Sequence, residues 1–304
     1  MKKIFIFIIM LGNLFPQSFP YFDGERAFQY LLKQCDLGPR NPGSKGHADF
    51  IKMLDQFLLP FNLTVFKHEV TVTNPITQKP VDLTNFLVRF NHKREKRLLI
   101  LAHWDTRDVA DRDPVLANQD NPILGANDGA SGIAILMELI NILHNNPLIN
   151  IGLDLLFVDG EDMGVSGVAE SFALGTKEFA REYPSPLPYF GLGIDMVGDK
   201  NLEIEIERFS YYQAPQYVDK IWTLAKKLQI HQFKHRLGRS IYDDHRVFYL
   251  ETKIPTVNLI DFKYPDHNHS YWHTLNDIPE NCSSESLEAV GRLVTAFIYN
   301  EDVK

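Results

Sequence analysis

Cysteine is scarce in this 304-residue chain: Cys35 and Cys282 are its two, and neither has a CxxC partner. That excludes a thiolate-bound metal. In an oxidising compartment the two could close one disulfide between the first and last helices, and two unrelated buried thiols suit the spacing equally well. Positive charge is also short. The 31 Lys and Arg face 39 Asp and Glu, for a formal net charge of -8, which excludes partners that are bound through phosphate neutralisation, nucleic acids first among them. The densest basic run, residues 92–97, reads as a solvated turn before a strand. Finally, no apolar run near the N-terminus is of bilayer length. Residues 4–15, after Met1-Lys2-Lys3, have the length and flank of a signal-peptide core. No Cys follows to carry a lipid, and no small-x-small cleavage site is legible before Pro20. The expectation is a signal peptide over 1–20, export to the periplasm or medium without a stable membrane anchor, and a single catalytic domain over 21–304.

What is present suits one large core: 44% of residues are hydrophobic and 12% aromatic. Residues 23–34 have helical spacing at Ala27, Tyr30 and Leu31, and Ser44 can cap a second helix with Ala48, Ile51, Met53, Leu54 and Phe57 facing inward. Alternation over 64–72 and 85–90 predicts two strands near a sheet edge. A repeated grammar follows, in which a short apolar run ends in polar residues and a helix comes after. Runs 98–102, 153–158 and 190–194 lead into His103, Asp159 and Asp195, and 129–143 is a strongly apolar helix. Strands that read as continuous apolar runs are covered on both faces, so the fold class is α/β, a three-layer α/β/α sandwich with a mixed, mainly parallel central sheet. Further elements are a strand over 201–207, a helix over 216–228, a strand over 255–260, and a last helix over 284–299. Ser283 or Ser284 caps that helix, and Leu287, Val290, Leu293, Val294 and Phe297 face the core.

The polar clusters fall at the carboxyl ends of the strands, where α/β folds build their sites. His103-Trp104-Asp105 ends one run. Asp128 stands among Gly125, Ala126, Gly129, Ala130 and Gly132, small neighbours that let backbone and metal approach a carboxylate; taken alone it could be an ordinary helix N-cap. In Asp159-Gly160-Glu161-Asp162 one carboxylate can bind metal while its neighbour serves as base, and three such charges repel one another without a cation. Asp195 ends another strand, and Trp272-His273 precedes the last helix. Carboxylates mixed with histidine suit Zn²⁺.

In this order, His103-Trp104-Asp105, Asn127-Asp128-Gly129-Ala130-Ser131-Gly132, Asp159-Gly160-Glu161-Asp162, Gly193-Ile194-Asp195-Met196 and Trp272-His273-Thr274 resemble the zinc aminopeptidase superfamily that includes glutaminyl-peptide cyclotransferases of bacterial type. The resemblance runs from about Gly38 to the final helix and implies that superfamily's fold. Its peptidases hold two zinc ions through matches of His103, Asp128, Asp162, Asp195 and His273, with the Glu161 match activating a bridging water. Its cyclotransferases hold one zinc through matches of Asp128, Asp162 and His273, which leaves Asp195 for the substrate amine. Trp272 directly before His273, and Asp243-Asp244-His245, whose first carboxylate resembles the one that hydrogen-bonds the catalytic Glu, favour cyclisation.

Two departures stand against the animal cyclotransferases: Asp162 replaces a Glu, and Gly167 stands roughly where a Trp stacks on substrate. Trp104 or Tyr264 is expected to fill that place. The resemblance thus implies conversion of N-terminal Gln to pyroglutamate with loss of ammonia. Glu161 and Asp243 are the catalytic pair, Asp128, Asp162 and His273 the ligands of one Zn²⁺, and Asp195, Trp272 and Trp104 the substrate contacts. The alternative is a dizinc aminopeptidase in which His103 joins the second metal. A binding protein with a relic site would be free to lose Glu161, which is present. The expected partners are peptide or protein N-termini, met by a monomer. The chain's overall acidity would favour N-termini followed by basic residues, although whole-chain charge says little about one pocket.

Overall fold

The computed structural model describes residues 19–303, so the expected signal segment lies almost wholly outside the described residues. Helix α1 (Gly24–Cys35) begins where the Asp23 carboxylate accepts the Arg26 N–H, and α2 (Lys45–Leu58) where Ser44 caps His47. Strands β1 (Thr64–Thr73), β2 (Pro80–Phe90) and β3 (Arg97–His103) follow, then α3 (Ala130–Asn145), β4 (Gly152–Val158), α4 (Leu174–Arg181) and β5 (Phe190–Asp195). The chain closes through β6 (Ile204–Ile206), α5 (Arg208–Gln213), α6 (Pro215–Lys227), β7 (Phe233–Leu237), α7 (Asp244–Thr252), β8 (Thr256–Ile260) and α8 (Ser284–Asp302).

The main sheet has six strands in the order β1-β2-β4-β3-β5-β8. The last four run parallel, and the β1-β2 hairpin joins β4 antiparallel with β1 at the edge. Alternation along β3 sorts its side chains. Leu98, Ile100 and Ala102 enter the larger core with Ile133, Ile140, Val290 and Phe297, whereas Leu99 and Leu101 enter a second core with Phe179 of α4, Tyr183 just after it and Phe248 of α7. Helices therefore cover both faces, as the apolar runs predict.

Several expectations shift. The inward face of α2 is Gly46, His47, Phe50, Leu54 and Leu58, because Phe50 stacks on Trp104; Ala48 is exposed, and Ile51, Met53 and Phe57 are half-buried. The strand expected over 201–207 shortens to β6, which pairs with β7, unforeseen, in a separate two-stranded sheet. Helices α4 and α7 are unforeseen: α4 is amphipathic but only eight residues long, and α7 carries weak apolar periodicity. Cys35 and Cys282 are both buried free thiols, and burial pushes Cys35 up to about 12. Among the described residues no helix is long and apolar enough to cross a membrane.

Candidate metal centre

Parallel strands β3, β4 and β5 end side by side, so the residues that leave them converge. His103 closes β3, with Nε2 3.2 Å from Asp128 Oδ1 and 3.1 Å from Asp195 Oδ1. Across Asp128, His273 Nε2 lies 2.9 Å from Asp162 Oδ1 and 3.7 Å from Asp128 Oδ2. Two donor triads result, His103-Asp128-Asp195 and Asp128-Asp162-His273, each with donor atoms within 4.8 Å of one another. Asp128 belongs to both.

Asp128 is not a helix cap. The N-cap of α3 is Gly129, at φ +105° and without a side-chain bond, and a Cβ there would stand 2.7 Å from the Asp105 carbonyl oxygen. Glycine is what lets the carboxylate turn inward beside His103. The two ligand-bearing turns are held by carboxylates of their own. Asp105 accepts the N–H groups of Glu161 and Asp162, both at 3.0 Å. Asp277 accepts those of Asn127 at 2.7 Å and Asp128 at 3.0 Å, and also the Tyr264 hydroxyl. Behind His273, Asp111 stands 3.5 Å from Nδ1 and is gripped by both arms of Arg107 at 2.8 Å. Arg107 also donates to the Asp162 and Gly164 carbonyls. Sequence reasoning missed Asp111, Arg107 and Asp277, which stand in no motif and at no strand end.

The donor set fits zinc. It offers two imidazoles and three carboxylates, and Asp128 Oδ2 and Asp162 Oδ2 are buried without a hydrogen-bond partner. Burial raises the pKa of Glu161 well above the ordinary carboxylate value, the approach of Asp243, Asp244 and Asp162 adds to the rise, and His103 opposes it. Burial likewise pushes Asp195 up to about 7. Crowded, desolvated carboxylates of this kind are stable when a cation shares the site.

In front of the triads is a cavity of about 370 Å³ bounded by Asp128, Glu161, Asp162, Asp195, Asp243 and His273, with Phe172, Tyr242, Phe262 and Trp272 among its walls. Trp272 is half-buried and stacks on His273 at 3.8 Å. Asp243 caps α7 and accepts the Asn258 amide. Trp104, expected at the substrate, is displaced: alternation carries it onto the face of Ala102, where it is fully buried, stacked on Phe50, and donates its indole N–H to the Thr84 carbonyl. Tyr264 is also buried, bonded to Asp277. Phe172 is the aromatic wall nearest in sequence to Gly167, at which an added Cβ would meet nothing within 4 Å.

A doubly covered parallel sheet with carboxylate–histidine triads at its carboxyl edge defines the class of zinc exopeptidase-like α/β enzymes. The model of peptidase family M28 matches residues 85–298, and the chain belongs to that family. Among solved structures, the glutaminyl cyclase of Bacteroides thetaiotaomicron bound to N-acetylhistamine is 31% identical, with 93% of this chain and 99% of that one covered at a TM-score of 0.88. A Zn-dependent exopeptidase from Parabacteroides distasonis is 32% identical over 92% of this chain and 99% of its own, also at 0.88. The glutaminyl-peptide cyclotransferase-like protein of Mus musculus is 23% identical over 91% of this chain and 75% of its own length.

Proposed function

We propose that this chain is a glutaminyl-peptide cyclotransferase that uses one zinc ion, made with an export signal over 1–20 and acting as a monomer, one catalytic domain, on peptide and protein N-termini. The observation that carries the one-metal reading is where polar atoms lack partners. His103 already stands between Asp128 Oδ1 and Asp195 Oδ1, whereas the orphaned oxygens, Asp128 Oδ2 and Asp162 Oδ2, belong to the triad with His273. Zn²⁺ held by Asp128, Asp162 and His273 supplies Lewis acidity toward the γ-carbonyl of an N-terminal Gln. Asp195 faces the same cavity and anchors the α-amine. Glu161 takes a proton from that amine as its nitrogen bonds to the side-chain carboxamide carbon, Cδ, and returns it to the amide nitrogen that leaves Cδ as ammonia. A pKa raised by burial suits Glu161 to both transfers. Asp243, on the same cavity wall, shares that proton, and the Trp272 indole N–H orients the substrate carbonyl.

Elemental zinc analysis run beside an ammonia-release assay on a Gln-initiated peptide tests this. One zinc per chain with chelator-sensitive ammonia release is expected, and Glu161→Gln should lower kcat about 10²- to 10⁴-fold with zinc retained. A zinc-replete, active Glu161→Gln enzyme would remove Glu161 from the role of base. The second reading is a dizinc aminopeptidase, favoured by the closeness of His103, Asp128 and Asp195. Two zincs and release of free N-terminal amino acids would establish it instead.

A further inference from the structure

The inner cavity opens into a larger groove of about 820 Å³, and the two share Arg112, Arg239, Ile241, Phe262 and Trp272. A peptide whose first residue occupies the inner cavity and whose next residues lie in the groove passes these five side chains. The acids of the outer groove are already matched: Lys263 Nζ lies 2.7 Å from both Glu203 and Glu205, Arg236 bonds both, Asp266 pairs with His269, and Glu207 with His245. The two arginines at the passage are different. Among the described residues no carboxylate lies within 4.0 Å of either guanidinium.

Both side chains are exposed; Arg112 is held by side chain and backbone, Arg239 by its backbone alone. Arg112 donates its backbone N–H to the His273 carbonyl, spreads its guanidinium over Trp272 at 5.5 Å from the ring centroid, and donates to Ser166 Oγ at 2.9 Å. The Arg239 carbonyl accepts the Arg208 N–H, and two residues on the Ile241 N–H donates to Glu207 Oε1. Two cations on backbone-bonded positions, with no carboxylate in reach and beside the ring that stacks on His273, present guanidinium donors to whatever leaves the inner cavity.

Resting on the cyclotransferase reading, we propose that Arg112 and Arg239 form a carboxylate-binding subsite just beyond the first residue, so that the enzyme prefers N-terminal Gln followed closely by a carboxylate. That carboxylate is an Asp or Glu side chain at the second or third position, or the C-terminal carboxylate of a very short peptide. The preference runs opposite to the one the chain's net charge of -8 suggests.

The test uses the purified enzyme and four tripeptides: Gln-Glu-Ala-amide, Gln-Ala-Ala-amide, Gln-Lys-Ala-amide and Gln-Ala-Ala with a free C-terminus. Ammonia release is followed at low and high salt. The expected result is a kcat/KM about tenfold or more higher for the Glu peptide than for the neutral amide, carried mainly by KM and shrinking with salt, with the Lys peptide poorest. An advantage of the free acid over its amide would assign the carboxylate to chain ends as well as to side chains. Arg239→Gln should bring the Glu-to-Ala ratio close to one, and Arg239→Lys should restore part of it. Arg112→Gln gives a second reading at a residue that also braces Trp272. If all four peptides turn over with equal kcat/KM, the subsite is refuted while the cyclotransferase reading stands. If none releases ammonia, it is that reading which fails.

Discussion

Strand β4 carries buried carboxylates at both ends, and the two ends have opposite electrostatics. Near its start Asp154 is fully buried, yet Arg89 grips it with Nε at 3.0 Å and Nη2 at 2.9 Å, Arg97 reaches it at 2.6 Å, and the Tyr183 hydroxyl donates at 2.6 Å. Just past its end, Glu161 and Asp162 join Asp128, Asp195 and Asp243 around one cavity, where two histidines and the buried Arg107 lie against the acids and the exposed Arg112 and Arg239 stand only at the mouth. The first end is a closed account of charge within the fold. The second is left open toward a cation and a substrate. A buried acid is evidence for a site only when its partners are missing.

The sharpest way to break this contrast is to open the closed end. Asp154→Asn would leave Arg89 and Arg97 buried without their counter-charge and should cost about 3–5 kcal/mol in urea unfolding, with zinc content unchanged in the protein that folds. Glu207, which pairs with His245 and accepts the Phe209 and Ser210 N–H groups, is the intermediate case. Burial opposes its ionisation, but His245 and these donors hold it at about 2, below the ordinary 4.5. Its contribution of about 3 kcal/mol is present above pH 4.5 and is lost as pH falls toward 2, so Glu207→Gln should destabilise at neutral pH and much less in acid. A flat difference across that range would contradict the pairing.

At the open end the signs reverse. Zinc at 100 times its Kd should raise the stability of chelator-treated protein by about 2.7 kcal/mol, read as a rise in Tm. Asp162→Asn should abolish that rise and at the same time stabilise the chelated protein by on the order of 1 kcal/mol, because one desolvated charge has gone. A loss of chelated stability would mean that Asp162 is paired as well as Asp154 is.

The same difference explains what was legible in the sequence. Glu161, Asp162, His103 and Asp195 stand at or just after the ends of apolar strands, and strand ends announce themselves through periodicity. Trp104 misled because being adjacent to His103 in sequence carries its side chain to the opposite face, into the core against Phe50. Asp277, Asp111 and Arg107 act through backbone N–H groups or through another side chain, and no residue pattern reports such a partner. Helix α7 buries Asp244 and His245 beside Val247 and Phe248, and β7 pairs outside the main sheet, so neither carries the pattern of a core element.

Asp105 and Asp277 hold the turns that carry Glu161, Asp162 and Asp128 by their backbones and supply no atom to either triad. Those backbone bonds would keep the cradle in shape with or without an ion, which would make the ion a guest rather than a keystone. Molecules stripped of zinc would remain folded and could be recharged, so activity would follow the zinc supply of the surroundings without passage through the unfolded chain. That behaviour is closed to small domains whose core is the metal itself.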